Sequence, residues 1–195
     1  MRTSIVALAV GAACAPALAQ LNDTLAKARA AGTVVMGVRE SSAPLSYQVG
    51  GSHYGGYHVE LCEQVVAALL PGVKISYLVV TSQNRMPLVQ NGTVDIECGS
   101  TTNNSARKQQ VAFAVTTYVT EARLAVKAAS GIERAEQLKG RTVVTTTGTT
   151  LVQRLRRLER QGVTMNLVYG KDHADSFLLL ESGRADAFVM DGQIL

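Results

Sequence analysis

Short apolar segments alternate with helical segments through the first half of the chain. Residues 33–38, 73–80 and 93–97 have the apolar, β-branched composition of buried strands, and a helix at 57–70 separates the first two. Such alternation is typical of a parallel sheet, because parallel strands need a crossover connection, which is usually a helix. The sequence therefore predicts an α/β fold, in which ligands bind beyond the carboxyl ends of the strands.

The second half of the chain repeats this organisation. Its predicted strands are 123–127, 142–144, 165–169 and 185–190, and a long helix is predicted at 151–161. Segments 88–95 and 179–186 share a leucine, a small polar residue, a glycine and an aspartate at the same spacing. Each segment is the end of a helix, a glycine stop and the entry to an apolar strand. We interpret the two halves as similar α/β lobes that face each other across a cleft.

Two helices have apolar faces that we expect to be buried. In helix 57–70 the face has a period of 3.6 residues and consists of Val59, Cys62, Val65, Val66 and Leu69. In the helix that ends at Gly183, we expect Phe177 and Leu180 to point inward.

Residues 1–19 are predicted to be a signal peptide. Arg2 is followed by an apolar run at 5–10 that is too short to span a bilayer, and Ala17-Leu18-Ala19 fits the rule for cleavage after Ala19. Cys14 raises the alternative of a lipoprotein, but the residues before it lack the expected large aliphatic side chain. We therefore expect an exported, soluble protein of the periplasm.

The composition gives no support for nucleic-acid binding. The formal charge is +4 on 195 residues, and only 5% of the residues are aromatic, which leaves little for base stacking. With 47% hydrophobic and 17% charged residues, the chain has the composition of an ordinary globular protein.

The cysteines and histidines give no clear metal site. After export, Cys62 and Cys98 remain, and they could form a disulfide or be two buried apolar thiols. His53, His58 and Glu60 are close in sequence, but they lie in a glycine-rich segment without a fourth ligand. We expect no metal and no cofactor.

Polar residues follow three successive predicted strands. Each strand end offers hydroxyl groups or an arginine, and these residues are Arg39, Ser82, Arg85, Ser100, Thr102 and Arg107. The loop at 98–107 alone is more often a capped turn before a surface helix with a solvated arginine. Three arginines at neighbouring strand ends favour an anionic ligand with more than one negative group.

In the second half, a threonine-rich turn at 145–150 opens helix 151–161. The free N–H groups and the positive end of the helix dipole would face whatever lies in front of this turn. The turn is not a P-loop, because no lysine follows Gly148. The arginines at 154, 156, 157 and 160 form a basic face, which we interpret as solvated rather than as a contact with a partner protein.

Several of these segments resemble the glutamate/aspartate-binding proteins of the periplasm, which are solute-binding components of polar amino-acid ABC transporters. The resemblance runs from about Leu21 to the last residue, in the order and spacing of that family. It is carried by Arg-Glu-Ser-Ser (39–42), Thr-Ser-Gln-Asn-Arg (81–85), Cys-Gly-Ser-Thr-Thr-Asn-Asn (98–104), Gly-Thr-Thr (148–150), Lys-Asp-His (171–173) and Glu-Ser-Gly-Arg-Ala (181–185).

The resemblance implies a type II periplasmic-binding-protein fold, with two α/β lobes joined by a hinge. The expected lobes are 20–116 and 117–195. Members of the family continue past the position of Leu195, so the first lobe is expected to be incomplete. The resemblance also places the family's cysteine partner for Cys98 in that continuation, so a disulfide between Cys98 and Cys62 stays open.

The resemblance also implies a role for each candidate residue. Arg107 and Thr102 would hold the α-carboxylate of an amino acid, Thr146 and Thr149 would meet the ligand from the second lobe, and Asp191 would bind the α-ammonium. The residues around the side-chain carboxylate would be Arg39, Ser82, Arg85, Ser100 and His173. His173 and Asp191 could instead be helix caps, and the run of threonines leaves the register of Thr146 open.

The implied function is binding without catalysis. A monomer would capture L-glutamate or L-aspartate by lobe closure and present it to an ABC-transporter permease. Two alternatives remain from the sequence: an exported enzyme on the same fold, such as a cyclohexadienyl or arogenate dehydratase, and the ligand-binding domain of a sensor or receptor. Asp191 and the absence of a nucleophile–base pair in the sequence argue against the enzyme.

Overall fold

The computed structural model describes residues 23–195. The predicted signal peptide and its cleavage site lie outside these residues. Within 23–195, no helix is both long enough and apolar enough to cross a membrane.

The first half of the chain forms a three-stranded parallel sheet and a separate small antiparallel sheet. Its elements are α1 (Thr24–Ala31), β1 (Thr33–Val38), β2 (Ser41–Ser42), β3 (Ser46–Gly50), β4 (His53–Gly55), α2 (Tyr57–Leu69), β5 (Lys74–Val79), α3 (Arg85–Gln90), β6 (Ile96–Glu97) and α4 (Ser105–Lys108). The strand order is β5-β1-β6, and β2, β3 and β4 form a small antiparallel sheet. The predicted parallel arrangement of these first strands is confirmed.

The second half forms a four-stranded sheet of its own. Its elements are β7 (Ala122–Val126), two 3₁₀ turns (Ala128–Ser130 and Ala135–Leu138), β8 (Thr142–Thr146), α5 (Thr150–Arg160), β9 (Asn166–Gly170), α6 (His173–Glu181) and β10 (Ala187–Asp191). The strand order is β7-β10-β8-β9, with β7 antiparallel to its neighbour. The three parallel strands β9, β8 and β10 repeat the order β5-β1-β6.

Each sheet has its own hydrophobic cluster, so the apolar residues of the two halves do not merge into one core. Val34, Met36 and Val38 of β1 belong to the first cluster, with Val59 and Val66 of α2 packed on them. The members of the second cluster include Val143, Val144, Leu151, Leu155, Leu180 and Phe188. Burial of these side chains is the main force that holds each sheet against its helices.

The buried face of α2 is narrower than predicted. Val59 and Val66 are fully or almost fully buried, whereas Val65 is 41% exposed and Leu69 is 52% exposed. Positions 65 and 69 lie to one side of the line through 59 and 66 on a 3.6-residue helix. The prediction for Phe177 in α6 is also wrong, because that side chain lies largely in solvent.

The structure joins Cys62 and Cys98 in a disulfide. Cys62 lies in the middle of α2, and Cys98 directly follows β6. The expectation that the partner of Cys98 lies beyond residue 195 is therefore wrong. The bridge ties the helix to the strand end from which the loop at 98–107 departs.

The internal repeat is visible as a pair of matched hydrogen bonds. Asp95 Oδ2 accepts from the backbone N–H of Val35 at 2.8 Å, and Asp186 Oδ2 accepts from the backbone N–H of Thr142 at the same distance. The backbone N–H of Asp95 donates in turn to the carbonyl of Val35, and the backbone N–H of Asp186 donates to the carbonyl of Thr142. Each aspartate therefore aligns an incoming strand, β6 or β10, with the central strand of its sheet.

Candidate functional site

The carboxyl ends of β1, β5 and β6 meet at one edge of the first sheet. Arg39 follows β1, Ser82 lies beyond β5 and Ser100 lies beyond β6. Arg39 is completely buried, and its Nη1 donates to Ser100 Oγ at 3.4 Å. The Oγ of Ser82 is buried without a hydrogen-bond partner among the described residues. The sequence therefore correctly predicted that these polar groups share one edge.

Arg85 is a buried cation at the start of α3. It is 2% exposed, and its Nε and Nη1 atoms lack hydrogen-bond partners within residues 23–195. The nearest counter-charge is Glu97 Oε1, which is 3.9 Å from Nη1. Burial lowers the pKa of Arg85 to about 9, although Glu97 opposes the change. Buried donors without partners are costly, so this guanidinium is arranged to receive an acceptor.

Arg39 reaches a residue of the second half that the sequence analysis did not assign. Its Nη2 donates to Asp172 Oδ1 at 3.0 Å, and Ser41 Oγ donates to the same oxygen at 2.6 Å. Burial acts to raise the pKa of Asp172, but Arg39, Ser41 and the N–H of His173 together hold that pKa below its ordinary value. In the sequence, membership of the Lys-Asp-His motif at 171–173 was the one feature that pointed to a role for Asp172.

Arg107 lies at the junction of the two halves. Asn104 caps α4 by accepting from the backbone N–H of Arg107, as a helix N-cap does. The guanidinium donates to the carbonyl of Thr102 at 3.1 Å and to the carbonyl of Gly148 at 3.1 Å. The side chain of Thr102 itself is exposed. Burial lowers the pKa of Arg107, with Glu97 and Asp191 acting in the opposite direction.

Gly148 lies close to the backbone of the first half. A Cβ placed on this residue would lie 2.5 Å from the carbonyl oxygen of Ser82. Its φ of +79° is in the left-handed region, which side chains disfavour. The next residue, Thr149, precedes α5 and donates its hydroxyl to the carbonyl of Thr146 at 2.7 Å. The threonine-rich turn therefore packs directly against the strand end that carries Ser82.

His173 is the first residue of α6 and is 3% exposed. The N-cap of this helix is Asp172, so the alternative that His173 is the cap is wrong. Its Nδ1 lies 2.8 Å from Thr146 Oγ1, and its Nε2 has no hydrogen-bond partner in the described chain. Burial lowers the pKa of His173 to about 3, and the charges of Arg39 and Arg85 act in the same direction. The imidazole is therefore neutral in this state.

Thr146 is fully buried and does not offer its hydroxyl to the cleft. That hydroxyl is 2.8 Å from the histidine nitrogen and 2.8 Å from Ser176 Oγ. Its carbonyl already accepts from Thr149. The hydroxyl of Thr146 therefore orients His173. The sequence analysis expected both the backbone and the hydroxyl of Thr146 to meet a ligand.

Asp191 is the last residue of β10, not a helix cap. Burial raises the pKa of its carboxyl group, and the cations Arg154, Arg85 and Arg107 partly offset this. The carboxylate of the second half and the two arginines of the first half thus act on each other electrostatically. This is the opposition of charges that a zwitterionic ligand requires.

The glycine-rich segment does not form a metal site. His58 Nδ1 contacts the carbonyl of Gly99 at 2.6 Å, and its Nε2 contacts Thr117 Oγ1 at 2.8 Å. Among residues 23–195 there is no group of three His, Cys, Asp or Glu side chains that could hold a metal ion.

An apolar cleft lies elsewhere in the second half. It has a volume of about 450 Å³ and is lined mainly by aliphatic side chains between β7 and α5, including Leu124, Leu151 and Leu155. The charged groups described above do not line it, with the exception of Arg154. The strand-end cluster and this cleft are therefore separate features.

Two α/β units with opposed charged groups at their facing edges define a solute-binding protein that closes on a small polar molecule. The chain belongs to the bacterial extracellular solute-binding proteins, family 3, whose profile matches residues 34–164.

Two curated relatives are similar over nearly all of the chain. The L-glutamate/L-aspartate-binding protein of Pseudomonas aeruginosa is 45% identical over 205 residues, which cover 100% of this chain and 66% of that protein. The glutamate/aspartate import solute-binding protein of Escherichia coli (strain K12) is 43% identical over 205 residues, which cover 99% of this chain and 67% of that protein. The chain thus spans about two thirds of the length of these relatives.

Solved structures agree on the fold. A solute receptor for L-cysteine from Neisseria gonorrhoeae superposes with a TM-score of 0.81 at 22% identity, covering 87% of this chain and 68% of that one. An ancestral amino acid-binding protein, described as a precursor of cyclohexadienyl dehydratase, gives a TM-score of 0.79 at 26% identity, covering 88% and 75%. The predicted type II binding-protein fold is confirmed.

Proposed function

We propose that this protein captures L-glutamate or L-aspartate between its two α/β units and delivers it to the permease of an ABC transporter. The observation that carries the proposal is a set of buried polar atoms that have no hydrogen-bond partner among the described residues: Arg85 Nε and Nη1 and Ser82 Oγ in the first half, and His173 Nε2 in the second. Such atoms are stabilised when a ligand supplies the missing hydrogen-bond partners. Both relatives described above are named for glutamate and aspartate.

The charges match an acidic amino acid, which has two carboxylates and one ammonium group. Arg107 and the loop at Thr102 are assigned to the α-carboxylate, because the guanidinium lies at the junction of the halves. Asp191 is assigned to the ammonium, since its raised pKa reflects a buried carboxyl group without a full counter-charge. Thr149, at the start of α5, offers the free N–H groups of that helix end.

The side-chain carboxylate is assigned to the opposite end of the site. Its proposed partners are Arg39, Ser82, Arg85, Ser100 and His173. Arg39 is fully buried and retains an Nε atom without a partner among the described residues, so it can still donate while it holds Asp172. Charge-assisted hydrogen bonds contribute about 1.5–3 kcal/mol each, which is sufficient for tight binding in a closed cleft.

The domain limits and the location belong to the same proposal. We assign residues 20–116 and 117–195 to the two lobes, because each range contains one sheet with parallel strands that packs on its own hydrophobic cluster. A signal peptide cleaved after Ala19 would place the protein in the periplasm, in accord with its extracellular family. We propose that it acts there as a monomer.

Catalysis is the second candidate, because one structural neighbour is a precursor of a dehydratase. That neighbour is itself an amino acid-binding protein, and both curated relatives are named for binding or import. We therefore favour binding without chemistry. Incubation of the protein with prephenate or arogenate, followed by chromatography, separates the candidates, because turnover of either acid would establish an enzyme.

Isothermal calorimetry on the full-length protein tests the proposed ligand. L-glutamate, L-aspartate, L-glutamine and L-asparagine differ only in chain length and in the charge of the side-chain group. We expect one of the two acids to bind most tightly. Tighter binding of glutamine or asparagine than of both acids would reject the acidic specificity.

The division of the site is tested by two variants. Arg107→Ala should abolish the binding of acidic and neutral amino acids alike, because all of them carry the α-carboxylate. Arg85→Ala should mainly weaken the acids, because its guanidinium is assigned to their side chain. Equal losses for every ligand in both variants would contradict this assignment.

A further inference from the structure

A chain of hydrogen bonds connects His173 to the backbone of its own helix. Ser176 Oγ donates to the carbonyl oxygen of Asp172 at 2.9 Å, Thr146 Oγ1 lies 2.8 Å from Ser176 Oγ, and His173 Nδ1 lies 2.8 Å from Thr146 Oγ1. All three side chains are buried, so solvent does not replace these contacts.

Only one arrangement of hydrogens satisfies the three contacts together. A carbonyl oxygen can only accept, so the single hydroxyl hydrogen of Ser176 is committed to Asp172. Ser176 must then accept the hydroxyl hydrogen of Thr146. Because Thr146 has no second hydrogen, its contact with His173 requires that Nδ1 carries the hydrogen and donates it.

The consequence falls on the other ring nitrogen. A neutral imidazole has one N–H group, so Nε2 of His173 is a bare acceptor in this arrangement. This atom is buried, and it has no hydrogen-bond partner among the described residues. A ligand carboxylate placed against it would meet a lone pair rather than a hydrogen, which is repulsive.

We propose that the protein takes up a proton when it binds an acidic amino acid, and that His173 Nε2 receives this proton and donates it to the ligand's side-chain carboxylate. This inference rests on the proposed function. The proton comes from solvent, and no covalent bond to carbon forms or breaks. A neutral amide ligand needs no such proton, because its NH₂ group can donate directly to the bare nitrogen.

The surrounding charges explain why the proton is absent before binding. Burial lowers the pKa of the imidazole to about 3, and Arg39 at the end of β1 and Arg85 at the start of α3 act in the same direction. Asp172 acts in the opposite direction. A bound carboxylate adds a negative charge next to the ring, which raises the pKa and favours the imidazolium in the complex.

The sign of the pH dependence follows from this linkage. The complex with an acid holds more protons than its separated components, so raising the pH weakens binding. Between the pKa of the free protein and that of the complex, the affinity for an acid should fall by up to about tenfold for each pH unit. The affinity for an amide should not follow this dependence.

Calorimetry in two buffers with different heats of ionisation, at the same neutral pH, measures the protons taken up. With the full-length protein we expect net uptake of a proton for L-glutamate or L-aspartate, and almost none for L-glutamine or L-asparagine. If an acid binds with the same heat in both buffers, the proton coupling is overturned while the proposed function stands. If no acid binds, the proposed function fails and the coupling fails with it.

Ser176→Ala tests the hydrogen-bond chain itself. Without the serine hydroxyl, Thr146 can donate to Nδ1, and the imidazole hydrogen moves to Nε2, where it meets the carboxylate without uptake from solvent. We expect binding of the acid to remain and the proton uptake to disappear. His173→Gln is a second variant, in which the side-chain NH₂ group can donate without taking up a proton. We expect it to bind the acid more weakly than the unmodified protein and without proton uptake. Full proton uptake in Ser176→Ala would overturn the hydrogen-bond chain, and full proton uptake in His173→Gln would overturn the role of His173.

Discussion

Arg39 and Asp172 form an ion pair of 3.0 Å between residues that are 133 positions apart. The arginine lies at the end of β1 and the aspartate caps α6, so the pair connects the two α/β units. Ser41 adds a hydroxyl donor to the same carboxylate oxygen. The contact exists only while the units are together, which makes it a measure of closure.

Asp172→Asn should weaken this closed arrangement. The side chain keeps its shape but loses the negative charge that Arg39 contacts, and we expect ligand affinity to fall about tenfold, as for the loss of one charge-assisted hydrogen bond. Faster ligand release, measured by stopped-flow fluorescence, should account for most of the change.

Asp175→Asn is the matched control for Asp172→Asn. Asp175 lies in the first turn of the same helix, and the donor that its carboxylate contacts within residues 23–195 is the local backbone N–H of Lys171. Its affinity for the ligand should remain close to that of the unmodified protein. An equal loss in both variants would show that the charge of the helix, and not the contact with Arg39, matters.

Gly148→Ala should weaken ligand binding by preventing the close approach of the two units. The added Cβ would lie 2.5 Å from the carbonyl oxygen of Ser82, so the two units could not approach each other as they do here. The left-handed φ adds a local cost of about 1 kcal/mol. We expect a loss of ligand affinity of at least about tenfold, because 1.4 kcal/mol of lost contact already gives that factor.

Gly162→Ala provides the comparison for Gly148→Ala. Gly162 has a φ of +94°, but a Cβ there would meet nothing within 4 Å. Both variants should lower the free energy of unfolding, whereas only Gly148→Ala should reduce affinity in calorimetry. If Gly162→Ala impaired binding as strongly, backbone strain rather than the close approach would be responsible.

The disulfide should contribute substantially to stability. Cys62 and Cys98 are 36 positions apart, and closing a loop of this length stabilises a protein by about 4 kcal/mol in the chain-entropy view. A variant with both cysteines replaced by alanine should therefore unfold at lower denaturant concentration. A reducing agent should lower the stability of the unmodified protein and leave that of the variant unchanged. Equal sensitivity to the reductant in both proteins would argue against the bridge.

Asp191 should limit binding on the acid side. Burial raises its pKa, so its carboxylate becomes protonated at a less acidic pH than an exposed aspartate does, and it then no longer attracts the ligand's ammonium group. With L-glutamine as the ligand, the affinity should fall as the pH is lowered toward this pKa. Asp191→Asn should bind more weakly at neutral pH and lose this acid dependence. A variant that retained the same dependence would place the titrating group elsewhere.

Local patterns in the sequence were sufficient to predict the strands and helices that flank the site. The apolar runs of β1 and β5 and the glycine stops identify those elements without knowledge of their neighbours. The strand at 93–97 is shorter than predicted, because Asp95 uses its side chain and its N–H group to bond Val35 before the ladder begins. Regular pairing is therefore confined to Ile96 and Glu97.

The contacts across the two units could not be predicted in the same way. Arg39 was selected as a candidate because it follows a strand, but its partner Asp172 depends on how two distant elements come together. Likewise, the sequence predicted Thr146 as a ligand contact, and the structure turns its hydroxyl toward His173 and Ser176. Side-chain direction within a run of equivalent residues is decided by packing, which composition does not reveal.

Asp95 and Asp186 show that the chain uses one joining device twice. In each unit an eight-residue segment, 88–95 or 179–186, leads from the end of a helix into a strand. A single carboxylate aligns that strand with its neighbour. Strand alignment is thus encoded separately on each side of the cleft. Substitutions in the loops of one unit can therefore alter ligand binding without disturbing the strand alignment in the other unit.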